Sequence, residues 1–474
     1  MRPYNEDHSV KRTDKRTISP HKRILLAILC ILGVLCIALI SFSPFSADHQ
    51  IAENGASIGQ DGDARDAVEH YQETVLPEND AREGTLHDNR DEDLSDEVPE
   101  GLSEGSENDP NYNPADDMSA GLSTPGEPYE YETYEPYGPN EPPGIKYEGH
   151  FELPVRGATG WAAARLGMYS EPDDTVASVL TLQPGQGFLI LEEYEMWWNI
   201  RLGSGEEGWV KHRHCFINLP DIIPSIIYNV TNARSSVKRS NMTDIPNITG
   251  YALYNAHSFN DRFGRDEFIV PILYYTSFKV MQVQRSALED GNTLIVYEMF
   301  RPRSTQHSVA NNLRNLMNTN RDVYRAINRS PWSMGWFIGT NLSNHQRGIA
   351  MDISLGQIIA EETGQTGEYL YRHIVQYVEL EMPTAMHELS SYAVMLSRPV
   401  AANSPDAWRG VAFADSMTEA AILLVQYATD VGFTPIASEW WHFNDLDARV
   451  VTDEARIVGE FYTETIYSVS PWYM

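Results

Sequence analysis

The sequence predicts four parts in chain order: one transmembrane helix, a disordered acidic linker, a small all-β barrel and an α+β domain. Three observations carry that expectation. An uncharged apolar run lies near the N-terminus, and a long stretch rich in Asp, Glu, Pro and Ser follows it. From Tyr147 onward the hydrophobic pattern first alternates in short runs and then mixes helical with extended periods. A chain of 474 residues has room for all of these.

The apolar run from Ile24 to Ile40, ILLAILCILGVLCIALI, carries no charge. With the SFSPF that follows, it reaches the roughly 20 residues needed to cross a bilayer. Arg2, Lys11, Arg12, Lys15, Arg16, Lys22 and Arg23 precede it, whereas the far side is acidic. The bias of positive charge therefore predicts a cytoplasmic tail at 1–23, a span at 24–46 and everything later outside, a single-pass protein of the plasma membrane. The alternative is a cleaved signal peptide ending near Phe45-Ser46-Ala47, although an h-region is usually only about 7 to 15 residues long.

Residues 47–147 hold most of the acid behind the net charge of −32. Such composition buries too little apolar surface to offset ordering entropy, so a solvated spacer is expected, with an r.m.s. span on the order of 55 Å for about 100 residues. The folded regions show no cluster of Lys and Arg, which argues against nucleic acid as a partner. Of the three cysteines, Cys30 and Cys36 lie in the apolar run and Cys215 stands alone. Neither a disulfide framework nor a Cys-rich zinc site is available.

Between 148 and 220 the runs GWAAARL, TVASVLTL, GFLILEE, WWNIRL and GWVKHRHCFI are separated by turn signals at Pro172-Asp173-Asp174, Gln183-Pro184-Gly185 and Gly203-Ser204-Gly205. This spacing predicts a small barrel. Through Gly208-Trp209-Val210 the segment resembles a bacterial SH3-like domain. Trp197, Trp198 and Trp209 suit the core of such a barrel as well as a ligand face.

The last part, 225–474, shows helical periodicity at 277–288, 309–327 and 417–431 and extended alternation at 293–299 and 348–354. Two stretches there carry chemistry. The first is Ser343-Asn344-His345-Gln346-Arg347-Gly348-Ile349-Ala350-Met351-Asp352, in which Gly348 lets the chain turn and a strand brings Asp352 back toward His345. The second is Ser438-Glu439-Trp440-Trp441-His442-Phe443, a carboxylate and an imidazole three residues apart among aromatic rings. Two neutral imidazoles and one carboxylate would leave a divalent ion with net positive charge, still able to act as a Lewis acid.

Together the two stretches resemble the Ser-x-His-x-x-Gly-x-Ala-x-Asp and Glu-x-x-His pattern of the D-Ala-D-Ala metallopeptidases, which include vancomycin-resistance dipeptidases and carboxypeptidases. The likeness spans roughly 225–460. It implies that His345, Asp352 and His442 hold Zn2+ and that Glu439 is the general base. Val296-Tyr297-Glu298-Met299-Phe300-Arg301-Pro302 is similar to the family strand whose Arg stabilises the transition state, which gives Arg301 that role; a structural ion pair is its alternative. Ser343 is expected to orient a ligand or touch substrate, and Trp440 and Trp441 to wall the pocket. Met382-Pro383-Thr384 also matches, but many relatives continue with Phe-Asp where this chain has Met386-His387. Ser235-Ser236-Val237-Lys238 fits Ser-x-x-Lys of serine enzymes, yet no Lys-Thr-Gly follows it.

The resemblance, with an outward-facing domain, implies a zinc-dependent carboxypeptidase trimming peptidoglycan stems. Its partner would be cell-wall peptide or lipid-linked precursor ending in D-Ala-D-Ala. The alternatives are a D-Ala-D-Ala dipeptidase or another wall endopeptidase, and a wall-binding surface protein whose peptidase domain is inactive.

Overall fold

Two large sheets share one hydrophobic core in the computed structural model, which describes residues 144–463 and 465–471. The short runs after Tyr147 supply β1 (Thr159–Ala162), β2 (Gly187–Tyr194), β3 (Trp197–Leu202), β4 (Glu207–Lys211) and β5 (Cys215–Asn218), which with β6 (Pro271–Leu273) make a six-stranded sheet in the order β6-β5-β1-β2-β3-β4. Phe188, Ile190, Trp198 and Ile200 point into the core, while Trp209 is half-buried.

The expected fold class is corrected here to a mixed α/β fold with several sheets. A free-standing SH3-like barrel is not what 148–220 builds. The outer edge of β5 is covered by β6, which lies some fifty positions later, with Ile272 opposite Ile217. An open row of backbone donors and acceptors on β5 would otherwise be a liability, and β6 removes it. α1 (Tyr274–Glu289) follows β6 directly and packs on both β5 and the second sheet. The side chains of Trp198, Ile217, Tyr274, Val280 and Leu294 therefore belong to a single core.

The second sheet has seven strands. Its main members are β7 (Asn292–Glu298), β8 (Ala350–Thr366), β9 (Tyr369–Glu379), β10 (Thr434–Ile436) and β11 (Glu439–Asn444). β8 is the central strand, antiparallel to β7, β9 and β11. Its first seven residues are buried and its far half runs into solvent as a hairpin with β9. Ile145–Lys146 adds to β9 in parallel, so the last residues of the expected linker are held at the sheet; 47–143 of that linker lie outside the described residues.

The other helices of seven residues or more among the described residues are α2 (Arg303–Thr319), α3 (Arg321–Ile327) and α4 (Glu419–Asp430). Periodicity alone predicted one helix over 309–327. Asn320 divides it, because its extended backbone ends α2 and its side chain accepts from the amides of Asp322 and Val323 as the N-cap of α3.

The expected membrane-spanning helix, and the plasma-membrane location drawn from it, are not shown by the described residues. No helix among the described residues is long and apolar enough to cross a membrane. The longest, α2, has 17 residues and buries one face, Thr305, Gln306, Val309, Ala310, Leu313 and Leu316, short of the roughly 20 apolar residues a span requires. The predicted span at 24–46 lies outside the described residues.

Candidate metal centre

Three adjacent strands set the site. Asp352 near the start of β8 is paired with Glu298 of β7 on one edge and with His442 of β11 on the other, so the three side chains share one face of the sheet. His345 arrives from the turn ahead of β8. Its backbone carbonyl accepts from the amides of Arg301 (3.2 Å) and Gly348 (3.1 Å). Gly348 adopts φ +68°, and a Cβ there would stand 2.5 Å from the ring of Phe216. Only glycine lets the turn close against that ring.

Outer partners fix how each imidazole faces inward. The Nδ1 of His345 lies 2.6 Å from the carbonyl oxygen of Met299, which can only accept, so Nδ1 carries the proton and Nε2 presents a lone pair. The Nε2 of His442 donates to Oδ1 of Asn444 (3.0 Å). That oxygen is itself identified as an acceptor by the Nδ2 of Asn344 (2.9 Å), so His442 presents its lone pair at Nδ1. The two lone-pair nitrogens are 3.1 Å apart. Oδ1 of Asp352 lies 3.2 Å from the first and 2.9 Å from the second.

Three acceptors thus converge in a buried space, each residue under a tenth exposed, with all three ligand atoms within 4.8 Å of one another. Such a set is stable only around a cation, either a proton or a metal ion. Burial pushes the His345 imidazole below its ordinary range and keeps it neutral. Burial opposes charge on His442 as well, but Asp352 and Glu439 outweigh it and raise that ring, so the space attracts positive charge. The donor set of two nitrogens and one carboxylate oxygen, each held by an outer hydrogen bond, fits zinc.

Glu439 begins β11, with its carboxylate 3.8 Å from Nδ1 of His442. Burial pushes its carboxyl up to about 7. Trp440 and Trp441 do not wall an open pocket; both are 1% exposed. The Trp440 indole N–H donates to Oγ1 of Thr384 (2.9 Å), which ties 382–384 to the site. Ser343 is half-buried, and its hydroxyl accepts from the His345 amide (3.2 Å), so it shapes the turn.

Arg301 is bound more tightly than its expected role requires. Its Nε donates to Glu298 (2.7 Å), Nη1 to Gln306 (2.6 Å) and Nη2 to Oδ2 of Asp352 (3.1 Å). Glu298 also accepts from Lys238 (3.1 Å), Asn232 (2.5 Å) and Tyr254 (3.0 Å). Lys238, from the discarded Ser-x-x-Lys, is therefore the buried counter-ion of Glu298. Two acids, Glu298 and Asp352, face two bases, Lys238 and Arg301, which offsets the cost of burying them.

Among the contacts that sequence reasoning missed, one falls directly on the Asp352 carboxylate. His387, 1% exposed, places Nε2 3.0 Å from Oδ2 of Asp352. Its signal was the histidine standing where the resembled pattern has an acid. Burial, reinforced by Lys238, pushes its imidazole down to about 4, so it is neutral at pH 7. The chain matches no protein-family model and no curated protein.

Proposed function

We propose that this chain is a zinc-dependent carboxypeptidase that removes the terminal D-alanine from peptides ending in D-Ala-D-Ala. The observation that carries the reading is the meeting of two imidazole lone pairs and one carboxylate oxygen, with a fourth side chain, Glu439, beside them. The substrate class comes from the spacing of those residues along the chain, which is that of the metallopeptidases they resemble.

Zinc, when bound by His345, Asp352 and His442, supplies a Lewis acid that lowers the pKa of water. The chain's own residues do the rest. Asn444 and the Met299 carbonyl hold the imidazoles in the tautomers that leave their lone pairs inward. Glu439, in its ionised form, takes the proton from the attacking water and passes it to the leaving amine of D-alanine. Arg301 holds a fixed positive charge next to Asp352, and in the resembled family the equivalent Arg stabilises the negative charge that develops on the scissile carbonyl. Trp440 and Trp441 exclude bulk water from behind the set.

The test is metal content and product analysis of the purified chain, with a stem pentapeptide and free D-Ala-D-Ala as substrates. About one zinc per chain with D-alanine and tetrapeptide as products is the expected result. Cleavage of the dipeptide alone would make the enzyme a dipeptidase, and bound zinc without release from either substrate would overturn the reading.

A further inference from the structure

The two oxygens of Asp352 are divided between two sets of partners. Oδ1 faces the lone pairs of His345 and His442, whereas Oδ2 faces Nε2 of His387 (3.0 Å) and Nη2 of Arg301 (3.1 Å). A carboxylate oxygen can only accept, so His387 carries its proton on Nε2 and donates it to Oδ2. Its other nitrogen, Nδ1, is buried and has no hydrogen-bond partner among the described residues, so nothing competes for that proton.

The backbone also indicates that this ring is held on purpose. His387 adopts φ +60°, a region that non-glycine residues enter at a cost. Its ring packs edge-on against Trp441 (5.9 Å) and Tyr297 (6.4 Å), which leaves it little freedom to turn away. Glu298, Asp352 and His387 also approach one another closely enough to suggest a second ion. Glu298 is already engaged by Lys238 and Arg301, whose two positive charges would repel it.

We infer that His387 is a positioning residue: by donating to Oδ2 it keeps Asp352 a one-oxygen ligand and aims Oδ1 at the ion held with His345 and His442. This rests on the metal-centre reading above. With His387 absent, Oδ2 is held by Arg301 alone, and Asp352 can swing or offer both oxygens to the metal, which changes the coordination number and weakens binding. Outer hydrogen-bond partners of metal ligands are typically worth roughly 10- to 100-fold in affinity.

The experiment compares His387→Asn and His387→Gln in the full-length chain, with His345→Ala as the control for the metal site. Asn tolerates the left-handed backbone but is too short to reach Oδ2, whereas Gln extends its amide N–H close to the position of Nε2. Zinc affinity is read by competition with a chromophoric chelator, and coordination by the visible absorption of the Co2+-loaded chain. His387→Asn should lose roughly 10- to 100-fold in affinity and show a changed Co2+ spectrum, while His387→Gln stays close to the unsubstituted chain in both. Unchanged affinity and spectrum in His387→Asn, with His345→Ala losing the metal, would overturn this inference alone. A stoichiometry of two ions per chain would also overturn it, by making His387 a ligand. Unchanged binding in His345→Ala would remove the metal-centre reading and this inference with it.

Discussion

Asn444 shows how a residue outside the proposed ligand set controls it. Its Oδ1 accepts from both Asn344 and His442, and this alone decides that His442 offers Nδ1 inward. Asn444→Ala should leave the fold intact and lower zinc affinity roughly 10- to 100-fold, measured by chelator competition. Glu439→Gln should act differently. It should retain the metal and lose at least about 100-fold in turnover, because a neutral amide takes no proton from water. Loss of zinc in that variant would make Glu439 a ligand. His345, Asp352, His442 and Glu439 were legible as residues, since each sits at a fixed spacing within one of two short stretches. Glu298, Lys238 and His387 were not. Glu298 meets Asp352 only through the pairing of β7 with β8, His387 only through the left-handed turn at 387, and Lys238 joins them through Glu298.

At the scale of elements, the turn before β8 is the most exposed to a single change. Gly348→Ala would meet the ring of Phe216 and the strained φ together. It should cost more than about 1 kcal/mol and, by moving His345, weaken zinc binding in parallel, which thermal melts and metal titration would show. Unchanged stability would mean that the turn relaxes without cost. Part of this architecture was readable beforehand: helical periodicity was expected at 277–288 and 417–431, where α1 and α4 lie. The strand expected at 348–354 runs on to Thr366 as β8, because beyond Gly356 its residues alternate for a two-stranded hairpin in solvent and have no core to mark them. The break at Asn320 was missed because periodicity does not register a cap.

On the scale of the whole molecule, composition suggested separable parts and the structure joins two of them. The described residues belong to one compact unit, in which β6 closes the sheet begun by 148–220. A fragment of 148–220 should therefore fail to melt cooperatively by circular dichroism, whereas the intact chain should unfold in one transition across both sheets. A sharp melt of the fragment would restore the independent barrel. This linkage was not legible, because Pro271–Leu273 reads locally as an apolar stretch before a helix and nothing in it names β5 as partner. Zinc should stabilise the same single transition, by about 2.7 kcal/mol at a hundred times its dissociation constant, and a chelator should reverse the gain.

X-ray absorption at the zinc edge of the loaded, purified chain tests the convergence of His345, Asp352 and His442 most directly. One ion per chain is predicted, with only nitrogen and oxygen neighbours at about 2.0 to 2.2 Å and the outer-shell signature of two imidazoles. An ion bound without imidazole, or no ion retained at all, would contradict it.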